Sequence, residues 1–130
     1  MSRRRQLREE RGQAMVEFAV ILPIFVVLVF GIIQFGIVFN NYVTLTDATR
    51  AGARAGAVAR NDADPTGTAT SAVKSSATDL NQSNLNVSVN STWQPGSDIT
   101  VQAKYPYSIS LLGWVVSSGT LTSTTTERVE

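Results

Sequence analysis

The chain has 130 residues, a formal net charge of +1, no cysteine and no histidine. Without those two residue types there is no thiol nucleophile, imidazole base, soft-metal site or disulfide, so the sequence reads as neither an enzyme nor a cofactor or metal binder. The near-neutral total hides an asymmetry. Arg3, Arg4, Arg5, Arg8 and Arg11 precede Gly12 against only Glu9 and Glu10, which puts +3 on residues 1–12 and −2 on the remainder.

Residues 1–11 alternate Arg, Gln and Glu with no apolar face to bury, and read as a disordered basic tail. Such a run can be a solvated nucleic-acid binder. Followed at once by an apolar stretch, it is better read as a topological signal, because Lys and Arg stay on the cytoplasmic side of a membrane. No residue from Phe18 to Thr46 is charged, and FAVILPIFVVLVFGIIQFGIVF is nearly all large and apolar. That exceeds the roughly 20 residues needed to cross a bilayer. The span is expected over about 14–39, with the N-terminus inside and the C-terminus outside.

The helix need not stop at the membrane surface, because TLTDATRAGARAGAVAR contains no proline. The sequence predicts one helix over 13–60, about 70 Å long at about 1.5 Å per residue. In its second half Ala48, Gly52, Ala55, Gly56 and Ala59 form a small-residue face. Arg50 and Arg54 share another, with Asp47 three residues before Arg50. The Gly52/Gly56 spacing suits close helix packing, either against another subunit or beneath the chain's own soluble domain.

The run AsnAspAlaAspPro at 61–65 breaks this helix, with Asp62 or Asp64 as the N-cap of a second helix and Pro65 in its first turn. Ala69, Ala72, Val73, Ala77 and Leu80 then recur at helical spacing, predicting a short helix from about Thr66 to Leu80. Beyond it the period becomes two. Leu85, Val87 and Val89 alternate with polar residues, as do Ile99, Val101, Ala103 and Tyr105, and GlnProGlySer at 94–97 supplies a hairpin turn. The Thr-rich segment Gly119–Val129 suits a third strand. Between strands two and three, a long connection contains Leu111, Leu112, Trp114, Val115 and Val116, too apolar for an ordinary exposed loop. It is expected to pack under the sheet, a subunit or membrane-surface contact being the alternative. Asp62, Asp64, Asp79 and Asp98 are accounted for by turns and caps. The fold class is therefore α+β. A long N-terminal helix leads into a small exported domain, 61–130, with a second short helix and a roughly three-stranded antiparallel sheet.

The segment that points to function is ArgGlyGlnAlaMetValGluPhe, residues 11–18. Gly12 stands between the basic leader and the apolar helix, where a protease at the cytoplasmic face needs a small, extended junction. Cleavage there gives Gln13 a new α-amino group at the start of the helix. Glu17 is a lone carboxylate at the edge of the bilayer, a costly place that calls for a partner. A neighbouring subunit's new N-terminus can be that partner. Alternatively, Glu17 snorkels to the headgroups or sits in the positive field of the first helical turn.

These residues resemble type IV pilin-like precursors, which share a basic leader, a glycine junction, a glutamate at the fifth mature position and a hydrophobic helix, here Gly12, Glu17 and Phe18 onward. The chain is more similar still to TadE-like proteins, the pseudopilins of tight-adherence (Tad/Flp) pilus systems, in ArgGlyGlnAlaMetValGluPheAlaValIleLeuProIlePhe, in PheGlyIle and AlaGlyAlaArg, and in the terminal GluArgValGlu. The resemblance implies processing by a prepilin peptidase between Gly12 and Gln13, residence in the cytoplasmic membrane or in a filament of pilin subunits, and assembly contacts through Glu17 and Phe18. It implies a minor pilin or pseudopilin that assembles, primes or caps an adhesive pilus, with no nucleic acid and no small-molecule substrate. A different class also fits: a non-polymerising, single-span signal-anchored envelope binding domain, which needs neither Gly12 nor Glu17.

Overall fold

The computed structural model describes residues 3–130, with side chains from Gly12 onward. It is an α+β arrangement of α1 (Arg3–Val58), α2 (Pro65–Ser76), β1 (Asn86–Ser91), β2 (Asp98–Leu111) and β3 (Trp114–Arg128). The three strands form one antiparallel sheet in the order β1-β2-β3.

Helix α1 is 56 residues long, about 80 Å at about 1.5 Å per residue. It starts at Arg3, not near Gln13, so the backbone of 3–11 is helical where a disordered tail was expected. Arg, Gln, Leu and Glu are strong helix formers, and once the apolar segment has nucleated a helix each added residue costs little. The side chains of 1–11 lie outside the described residues. Pro23 is inside the helix, where it removes the N–H that would reach the carbonyl four residues back.

The last turns of α1 supply one wall of the core. Leu45, Ala48, Ala53 and Ala57 cluster with Ala69 and Val73 of α2 and with Ile99, Val101 and Ala103 of β2. Small residues on α1 let the layers approach. A Cβ added at Gly52 runs into Val73 and comes within 3.1 Å of the Ala69 carbonyl oxygen, and one added at Gly56 runs into Ile99. The helix ends at Val58, two residues before the expected Arg60, as Asp62 N–H turns back to the Ala59 carbonyl at 2.9 Å.

Of the two candidate caps, Asp64 is the N-cap of α2. Its carboxylate accepts from Gly67 N–H at 2.9 Å, and Pro65 sits in the first turn. Asp62 instead accepts from Thr68 Oγ1 at 2.9 Å. Helix α2 stops at Ser76, four residues short of Leu80. The Gln82 amide donates to the Ala77 carbonyl at 2.7 Å and reaches the Lys74 carbonyl at 3.5 Å, so a side chain from beyond the helix takes a carbonyl that the next turn would have used. Leu80 is buried all the same.

The β1–β2 hairpin closes through Gln94–Ser97, with Ser97 N–H bonded to the Gln94 carbonyl at 2.9 Å and Gly96 at φ 77°. Proline followed by a left-handed glycine makes this a type II turn. The second hairpin departs from expectation. Residues 105–116 do not form a connection packed under the sheet. Strand β2 runs on to Leu111 and β3 begins at Trp114, paired directly with it. The two residues between, Leu112 and Gly113, have φ of 52° and 87°, as a two-residue type I′ turn requires. Pro106 is tolerated because β1 pairs only as far as Lys104, leaving β2 an edge strand there. At the tip Leu112, Trp114, Val115 and Val116 are 71, 81, 66 and 63 % exposed.

Candidate functional site

Gly12, Gln13, Glu17 and Phe18 fall within two turns of α1, all exposed. Gly12 is helical here, not extended, and a Cβ added to it would meet nothing within 4 Å. Among the described residues no packing requires a glycine there. Glycine costs a helix about 1 kcal/mol relative to alanine, so its presence makes this turn of α1 easier to unwind. From the next residue, Gln13 Nε2 donates to Glu17 Oε1 one turn on at 3.1 Å, and among the described residues no other group donates to that carboxylate. Phe18 is 64 % exposed and begins the apolar surface.

That surface continues through Ile24, Phe30, Ile33 and Phe39, all exposed, with Phe35 and Phe39 stacked at 6.5 Å between ring centroids. None of the apolar window of α1 is covered by the rest of the chain. By length and composition this is a helix able to cross a membrane, and it fits a single-pass anchor.

Gly52 and Gly56 sit elsewhere. They are occupied by the chain's own Val73, Ala69 and Ile99, so the small-residue face serves contact between α1, α2 and the sheet. Arg50 reaches Asp47 at 3.4 Å, with both side chains mostly exposed, a pair that contributes little. Among the described residues no group of three or more His, Cys, Asp or Glu is placed to hold a metal.

The sequence reading missed a buried hydroxyl cluster. Thr49 Oγ1 bonds the Thr46 carbonyl at 2.8 Å and lies 3.1 Å from both Ser123 Oγ and Thr125 Oγ1. Thr49 and Ser123 are both buried. The available signal was spacing: Leu45, Thr49, Gly52 and Gly56 recur at helical intervals as one face.

A long helix, apolar and uncovered over its first half and bearing a small α+β head, fits a single-pass membrane anchor. Residues 12–54 match the family model described as TadE-like protein, and that match begins at the glycine singled out above. That segment, about a third of the chain, is similar to TadE-like proteins. No curated protein and no solved structure matches the chain.

Proposed function

We propose that this chain is a minor pilin or pseudopilin of a tight-adherence pilus, cut by a prepilin peptidase between Gly12 and Gln13, and that it joins other pilin subunits through Glu17 and Phe18. In this reading residues 1–12 are a leader held in the cytoplasm, α1 anchors the subunit in the cytoplasmic membrane, and the head lies outside. The subunit then acts in assembling, priming or capping an adhesive filament.

One observation carries the proposal. Gly12 and Glu17 lie in the TadE-like segment, yet neither is needed by the packing of the described residues. Residues kept free of the fold are available for a peptidase and for a neighbour. The test is the intact mass of the protein from native membranes, expected to lack residues 1–12, together with Gly12→Leu, expected to insert but stay uncut. A mature chain that keeps Arg3 to Arg11 in cells holding the peptidase sinks the proposal.

The non-polymerising anchored domain keeps one observation in its favour. The Gln13 amide already gives Glu17 a partner within the chain, so the carboxylate does not require a second subunit to be hydrogen-bonded.

A further inference from the structure

Contacts between α1 and the sheet fix the direction of the second hairpin. Ile99 lies against Gly56 and Val101 against Gly52, so β2 runs opposite to α1, back toward the apolar end of the helix. Strand β3 runs the other way, along α1, since Ser123 meets Thr49 and Glu130 N–H bonds the Ala57 carbonyl, so its start at Trp114 lies toward the same apolar end. Leu111 is ten residues beyond Val101, about 33 Å at about 3.3 Å per residue. Phe39, the end of the unbroken apolar run, is 13 residues before Gly52, about 20 Å along the helix. Even a strand inclined by about 50° to α1 therefore brings Leu111 level with Phe39.

The chemistry changes along the same path. From Tyr105 to Thr126 there is no charged residue. The tip is apolar on both faces, because Leu111 and Trp114 are direct partners on one side and Val115, paired with Ser110, lies on the other. A register shift between Ile109 and Ser110 leaves Val116 unpaired beside them. Leu112 holds φ 52° where asparagine or glycine is the easier residue, so an apolar side chain stands at the tip against local backbone preference. Tryptophan and tyrosine beside aliphatic residues suit the headgroup level of a bilayer.

We infer that the hairpin tip, Leu111 to Val116, dips into the phospholipid headgroup and acyl boundary of the membrane that α1 crosses, on the side of the head. This rests on α1 being a membrane anchor. The subunit then has two lipid contacts, one spanning and one interfacial, and the tip holds the head against the membrane until the subunit leaves it.

Because the chain has no cysteine, single variants Val115→Cys and Gln94→Cys can each carry an environment-sensitive fluorophore at an exposed site. The full chain is reconstituted at low density in phosphatidylcholine vesicles containing acyl-chain spin-labelled lipid. Lipid quenching should lower the Val115 signal about twofold, as for an interfacial side chain, and leave Gln94, at the opposite end of the sheet, unchanged. A Val115 label that is unquenched by lipid and open to aqueous iodide overturns the inference. So does one shielded only when vesicles are crowded, which assigns the tip to a second copy of the chain. Flotation separates the premises: chain that does not float with vesicles overturns the anchor, whereas floated chain with an unquenched tip overturns only the tip contact.

Discussion

Gln13 and Glu17 are joined across one turn of α1 by an amide-to-carboxylate hydrogen bond of 3.1 Å. The bond links the residue that cleavage would make N-terminal to the carboxylate proposed to meet a neighbour's N-terminus. The Gln13 amide can orient Glu17, but it brings no positive charge. Glu17→Val should therefore be inserted and cut normally yet fail to co-purify with other pilin subunits, because leaving one member of a buried ion pair alone costs about 3–5 kcal/mol. Glu17→Gln should fail as well. Retained co-purification in Glu17→Gln would show that hydrogen bonding, not charge, is what assembly needs.

Glycines on the two halves of α1 should respond oppositely. Gly56→Val drives a side chain into Ile99, and Gly52→Val into Val73, so each should lower the stability of the head by about 1–3 kcal/mol or more. Gly31→Ala and Gly36→Ala meet nothing within 4 Å and should be neutral or stabilising by up to about 1 kcal/mol. Thermal unfolding of the full chain in detergent, monitored by circular dichroism, compares the four.

Thr49→Val keeps the shape but removes the hydroxyl bonded to Ser123 and Thr125. Ser123 is buried, and stranding its hydroxyl should cost about 1–3 kcal/mol. Adding Ser123→Ala should recover part of that loss, because residues in one network are not additive. Denaturant midpoints of the two single variants and the double variant make the comparison.

At the hairpin tip, Leu112→Asn places a residue that tolerates left-handed backbone at φ 52°. It should stabilise the folded head in detergent by about 1 kcal/mol, read as a rise in the unfolding midpoint. A fall instead would mean that the leucine side chain makes contacts worth more than the backbone preference.

Features written in local chemistry were legible in the sequence. An aspartate at 62 or 64 before Pro65 announces a helix start, Pro95-Gly96 announces a hairpin turn, and alternation from Ile99 to Tyr105 announces a strand. The uncharged run after Phe18 could be read the same way. Features decided by a distant partner were not legible. Gln82, six residues past the end of α2, takes the Lys74 carbonyl that a further turn would use, and nothing near Ser76 in sequence says so. The Gly52/Gly56 face allowed an intermolecular or an intramolecular partner, and only Val73 and Ile99 arriving from elsewhere resolve it. Residues 105–116 looked like a buried connection because Leu-Gly is a poor advertisement for a type I′ turn and because large apolar residues are ordinarily covered. The helical backbone of 3–11 reflects helix propensity in Arg, Gln, Leu and Glu, which the charge of the segment does not reveal.

Leu45, Ala48, Ala53 and Ala57 belong to α1 and to the core of the head at once, so the helix enters the head without a swivel. The head's bearing around the helix axis is then set by packing, and a given side of the sheet keeps a fixed azimuth over the apolar residues below. Any twist or axial stroke applied to the lower helix reaches the sheet as through a shaft, undiluted by a joint. The proline in α1 is at Pro23, inside the apolar run and far from the head, so any bend it introduces would swing the whole upper shaft and head together.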